Sequence, residues 1–177
     1  FIRDHLDDPH LNHVRVAKEF VKFGERCFVR LLGDMRTVNY VVDITPDFEE
    51  VQYRVRPIDF DQQSYEGRIS VYRAHMFPDN KPVEELVRAH LNNQTILQYR
   101  AEEHLQMSRR AKVERNRLKA ILTVMNRTEV APHDHFVALR DSLVERYGSH
   151  AFEACETMGA LTAIHLQKVL NLTPPRR

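Results

Sequence analysis

Between residues 38 and 56 the chain changes its hydrophobic period, and that change limits what it can fold into. Val38 to Ile44 is rich in Val, Tyr and Ile, side chains that pack well on a pleated surface. Thr45-Pro46-Asp47 supplies a turn, after which Val51, Tyr53 and Val55 alternate with Gln52, Arg54 and Arg56. The pattern predicts a hairpin of Val38–Ile44 with Val51–Arg56, joined by a loop of about six residues, longer than the commonest connections. Pro57 has no N–H to give to a ladder, so pairing should end near it. Just upstream, Cys27 to Leu32 is a short apolar run consistent with another strand.

On both sides of this segment the period is helical. Asp8-Pro9 reads as a helix start, with Asp8 as N-cap and Pro9 at the first helical position. Leu11, Val14, Ala17 and Val21 follow along one side, and Gly24 suits the residue just past the end of that helix. Everything after about Gly67 reads as helix. One helix opens at Asp79-Asn80-Lys81-Pro82 and a long one runs from Arg100 to Met125. Pro132 breaks the pattern. A helix marked by Phe136, Leu139, Leu143 and Tyr147 follows and stops at Gly148. The last helix spans Ser149 to Leu170, with Gly159 as a weak point.

The 177 residues suit one domain, 1–177, and show no repeat or linker that would divide it. With 26 Lys+Arg against 25 Asp+Glu, the chain lacks the basic coat used for non-specific nucleic-acid binding. No apolar run reaches the roughly 20 residues needed to span a bilayer, so no membrane partner is expected. Two cysteines, Cys27 and Cys155, cannot make a disulfide framework, and a reducing, cytoplasmic compartment is the expectation.

Chemistry concentrates between Leu32 and Asp61. Gly33-Asp34 comes first, then Met35-Arg36-Thr37-Val38 and Asn39 at the start of the hairpin, and Ile58-Asp59-Phe60-Asp61 closes it. Asp and Asn are also ordinary turn and cap residues, and the same positions can be read that way. Phosphoryl transfer, however, asks mainly for positioning and for neutralisation of phosphate charge. Mg²⁺ prefers oxygen ligands, commonly one or two carboxylates with waters and substrate phosphates. A carboxylate and an amide oxygen delivered from adjacent strand ends meet that need, and a separate carboxylate can accept the proton of an attacking hydroxyl.

In this order and spacing, Asp34, Asn39 and Asp59-Phe60 resemble the catalytic half of the protein-kinase-like superfamily, particularly the aminoglycoside phosphotransferase branch of small-molecule kinases. The resemblance covers about Asp8 to Asp61; beyond it only the helical character agrees. It implies an α+β, mainly α fold, a kinase-like C-terminal lobe with a small antiparallel β cluster near the N-terminal third and a helical bundle after it. It further implies Asp34 as catalytic base, Arg36 as charge stabiliser, Asn39 and Asp59 as ligands of Mg²⁺ and ATP, and Asp61 as a further metal contact. The partners implied are a nucleotide and a small-molecule or protein acceptor.

Departures from the pattern are specific. Leu32 stands where both kinase branches usually have His, and the hairpin is longer than usual for the small-molecule branch. No Gly-rich phosphate loop and no strand Lys with a helix Glu occur in these residues, nor does Ala-Pro-Glu after Asp59. The resemblance therefore implies a catalytic lobe whose nucleotide-covering N-terminal lobe is missing, and a chain that does not turn over ATP efficiently alone. A non-catalytic pseudokinase-like interaction module is the alternative.

Other clusters read more simply. His133-Asp134-His135 and His10-x-x-His13 lack the three or four converging ligands of a zinc site, and Pro132-His133-Asp134 is a helix start. Residues 109–119 carry six cations against Glu114, a solvated or acid-recruiting helix face without aromatic residues to stack on nucleic-acid bases. Cys27 and Cys155 lie on apolar runs, as packed thiols do.

Overall fold

The computed structural model describes His5 and residues 10–48 and 51–172. It is a mainly helical α+β structure: residues 10–48 and 51–172 form six helices with one two-stranded antiparallel hairpin near the N-terminal third. The helices are α1 (His13–Arg30), α2 (Lys81–His90), α3 (Asn93–Val113), α4 (Arg115–Met125), α5 (His133–Tyr147) and α6 (Met158–Val169). Strands β1 (Tyr40–Pro46) and β2 (Val51–Pro57) lie between α1 and α2. Among the described residues no helix is long and apolar enough to cross a membrane.

Helix α1 departs from expectation at both ends. The proposed cap at Asp8-Pro9 lies outside the described residues. The observed N-cap is Asn12, whose side chain accepts from Arg15 N at 3.1 Å. The helix then passes through Gly24 and takes in Cys27–Arg30 of the run predicted as a strand, leaving Leu31 and Leu32 beyond its end. A mid-helix glycine costs about 1 kcal/mol. Continuing the helix buries Cys27, Phe28 and Val29, and an apolar side chain of that kind contributes about 1.5–3 kcal/mol. Burial wins. The stop comes at Leu31, in the left-handed region at φ 52°. Leu31 N bonds Phe28 O at 3.1 Å and Leu32 N bonds Cys27 O at 2.9 Å, the paired pattern usually built on glycine. A non-glycine residue pays roughly 1–2 kcal/mol there, and Leu31 offsets it by being fully buried.

The hairpin forms in the predicted segment with shifted bounds: Val38 lies in a turn and β1 begins at Tyr40, while Thr45 and Pro46, read as turn residues, extend β1 and pair with Gln52 and Val51. Tyr40 pairs with Pro57, Val42 with Val55 and Pro46 with Val51, and the ladder ends at Pro57 as expected. Among the described residues no third strand pairs with the outer edge of β2; side chains of α1 take its place. Val55 N donates to Glu19 Oε1 at 3.1 Å, Val55 O accepts from Arg26 at 2.9 Å, and Val51 O accepts from Arg15 at 3.0 Å. Polar groups at a sheet edge need such partners once an element covers them.

Further corrections lie downstream. Residues 69–80 form three short 3₁₀ turns before α2. The long helix predicted over Arg100–Met125 starts earlier, at Asn93, and breaks at Glu114 (φ −90°, ψ 25°). The last helix begins only at Met158, after a 3₁₀ turn at His150–Phe152. Pro132 and Gly148 do bound α5, with Gly148 at φ 56°. Two apolar clusters make the core, and α1 serves both, with Phe20 and Phe23 in one and Phe28 in the other.

Candidate functional site

The end of α1 sets the site. After the left-handed turn at Leu31, Leu32 pairs with Gln63 in an isolated antiparallel bridge. Ser64 N donates to Leu31 O at 2.7 Å and Gly33 N to Gln62 O at 3.3 Å. The loop carrying Asp34 is thereby tied to the segment that follows Asp59. Leu32 is buried in the core, so an apolar contact anchors the loop.

Asp34 is itself left-handed, at φ 51°, which turns the loop sharply. Its two carboxylate oxygens accept from Arg36 Nε at 2.8 Å and Arg36 Nη2 at 3.0 Å, a fork that raises the guanidinium's affinity for its proton. Asn39 Nδ2 donates to Asp34 Oδ2 at 3.1 Å and to Asp34 O at 2.6 Å. Asn39 O then accepts from Ile58 N at 3.0 Å, one step beyond the Tyr40–Pro57 pair. Asn39 therefore links Asp34 through its side chain to the start of the Asp59 segment through its backbone. Asp59 Oδ1 accepts from Asp61 N at 3.1 Å, which fixes a tight turn, and Asp61 is exposed.

A residue that sequence inspection assigned only to a helix start braces this loop. Asn80 is fully buried; its Nδ2 donates to Met35 O at 2.8 Å and Ala74 O at 2.6 Å, and its Oδ1 accepts from Tyr40 at 2.7 Å. Burial and the nearby Asp79 push the Tyr40 phenol upward, so it stays protonated and donates. Nothing local marks Asn80, since its partners are brought to it from the loop and from β1.

Among the described residues no three His, Cys, Asp or Glu side chains gather as a metal cage. Asn39 offers an amide oxygen and Asp59 and Asp61 offer carboxylates, hard donors on two segments that meet at the Ile58 N to Asn39 O bond. Such a set fits Mg²⁺ that completes its shell with water and nucleotide phosphates. The remaining candidates are structural. His135 Nδ1 lies 3.1 Å from Tyr65 O, and His133 stacks on Phe136. Burial pushes the Cys27 thiol up to about 12, and Cys155 is also raised by burial, so neither is an activated nucleophile. The 109–119 cations divide between the end of α3 and the start of α4, on either side of Glu114.

No protein-family model, curated protein or solved structure matches this chain at a significant level.

Proposed function

We propose that this chain is the catalytic lobe of an ATP- and Mg²⁺-dependent phosphotransferase of the kinase-like type, acting on a hydroxyl acceptor. The observation that carries the reading is the double role of Asn39, bonded to Asp34 by its side chain and to Ile58 by its backbone. It ties the loop that carries the candidate base and the amide oxygen to the start of the segment that carries Asp59, which supports this reading.

In this reading Asp34 accepts the proton of the attacking hydroxyl, after Arg36 swings from the carboxylate towards the transferring phosphoryl group. Asn39, Asp59 and Asp61 hold Mg²⁺, which when bound neutralises phosphate charge and aligns the nucleotide. Arg36 is largely exposed, so it is free to exchange one anion for another.

The same Arg36 fork favours a second reading, a non-catalytic kinase-like interaction module. A carboxylate with both oxygens engaged by a guanidinium is held as a structural clamp rather than as a base.

The test is a titration of Mg²⁺-ATP against thermal stability, in the intact chain and in Asp59→Ala. The phosphotransferase reading expects a saturable rise, since a ligand at 100 times its Kd adds about 2.7 kcal/mol, and expects Asp59→Ala to abolish it. No rise, or an equal rise in Asp59→Ala, overturns the metal assignment.

A further inference from the structure

A cavity of about 340 Å³ lies between α1, α2, α3, the 73–76 turn and the end of α5, and it contains none of the candidate site residues above. Four arginines line it, Arg73, Arg88, Arg100 and Arg146, against two carboxylates, Glu25 and Glu84. Both carboxylates are taken. Glu84 accepts from Arg88 at 2.7 Å, and Glu25 lies 3.0 Å from Arg100 Nε and 2.8 Å from His104 Nε2.

Arg73 and Arg146 have no carboxylate partner among the described residues. Both stand over one ring: the Arg73 guanidinium is 5.2 Å and the Arg146 guanidinium 4.6 Å from the centre of Phe28. Aromatic support of this kind fixes the planar forks, so less freedom is lost when they grip an anion. Burial, with the charges of Arg146 and Arg100, pushes the Arg73 guanidinium down, the response of a cation among like charges. Arg100 Nε stands 3.0 Å from Glu25 Oε1 as an ion pair without an aligned hydrogen bond.

We propose that this cavity binds a small phosphomonoester, with Arg73 and Arg146 clamping the phosphate over Phe28. The lining holds two more guanidiniums than carboxylates, an excess that matches a dianion; a carboxylate would neutralise only half of it. The volume is that of a small-molecule site, commonly about 300–1,000 Å³, and Phe20, Val87 and Ile96 in its wall suit an apolar body attached to the phosphate.

The test is calorimetric titration of the whole chain with phenyl phosphate, and with benzoate as the monoanion of similar shape, at fixed ionic strength with EDTA present. EDTA makes the measurement independent of Mg²⁺ and hence of the phosphotransferase reading, so either can fail alone. Saturable binding of phenyl phosphate, at least tenfold tighter than benzoate, is expected, with a further loss of about tenfold in Arg73→Gln and in Arg146→Gln (roughly 1.4 kcal/mol each). Arg146 is exposed, so Arg146→Gln keeps the fold and decides the matter if Arg73→Gln does not. Absence of saturable binding, equal affinity for benzoate, or unchanged affinity in Arg146→Gln overturns the proposal.

Discussion

Asn39 grips Asp34 twice, through its Oδ2 at 3.1 Å and its backbone oxygen at 2.6 Å, and this clamp holds the left-handed turn of the candidate loop. A buried amide that loses hydrogen bonds to a charged partner costs about 1.5–3 kcal/mol. Asn39→Ala should lose stability of that order in urea unfolding and should abolish the Mg²⁺-ATP thermal shift. A variant that keeps the full shift would remove Asn39 from the proposed ligand set.

Arg26 joins α1, α3 and the hairpin. It is buried, and it bonds Glu19 at 2.5 Å, Glu103 at 3.3 Å and Val55 O at 2.9 Å. Removing one member of a buried charge network strands the others, at roughly 3–5 kcal/mol. Arg26→Met should therefore cost about that much in equilibrium unfolding. Pairing it with Glu103→Leu should recover part of the loss, because the second change removes one of the two stranded carboxylates. A loss below about 1 kcal/mol in Arg26→Met would show that solvent reaches the site.

His165 is fully buried, with Nε2 3.0 Å from Phe28 O and Nδ1 3.2 Å from the Tyr147 hydroxyl. Burial pushes it down to about 4, against an ordinary value near 6.5. The unfolded chain binds the proton more readily, so the neutral ring's stability is fully present above pH 6.5. It is lost progressively as pH falls towards 4. The loss is on the order of 3 kcal/mol. Urea midpoints measured from pH 7.5 to 4.5 should fall, and His165→Gln should flatten that slope. An equally steep slope in the variant would assign the acid sensitivity to other groups.

Gly159 lies where the first turn of α6 meets the end of α4. A Cβ there would stand 2.6 Å from Asn126 N and 2.6 Å from Met125 C, backbone atoms that cannot swing aside. Overpacking of this kind costs about 1–3 kcal/mol. Gly159→Ala should be destabilised by that amount despite alanine's better helix propensity. Gly24→Ala, with open space around its Cβ, should instead gain up to about 1 kcal/mol. Thermal melts of the two variants give opposite signs if the packing is as described.

The local sequence carried the hairpin, because alternation at Val51, Tyr53 and Val55 and the donor-less Pro57 act within a few residues of themselves. It likewise carried α5, bounded by Pro132 and Gly148. The candidate residues Asp34, Asn39 and Asp59 were legible as types and spacings. Their clamp was not, since it depends on an unusual left-handed Leu31 that no glycine announces. Tertiary structure alone decided that α1 continues through Gly24, because the gain from burying Cys27, Phe28 and Val29 exceeds glycine's local penalty. It also decided the brace at Asn80, the edge supplied to β2 by Glu19 and Arg26, and the paired arginines over Phe28. Each of these joins residues far apart in the chain. Local patterns report the preferences of a backbone a few residues long, whereas such contacts exist only after the core has brought the helices together.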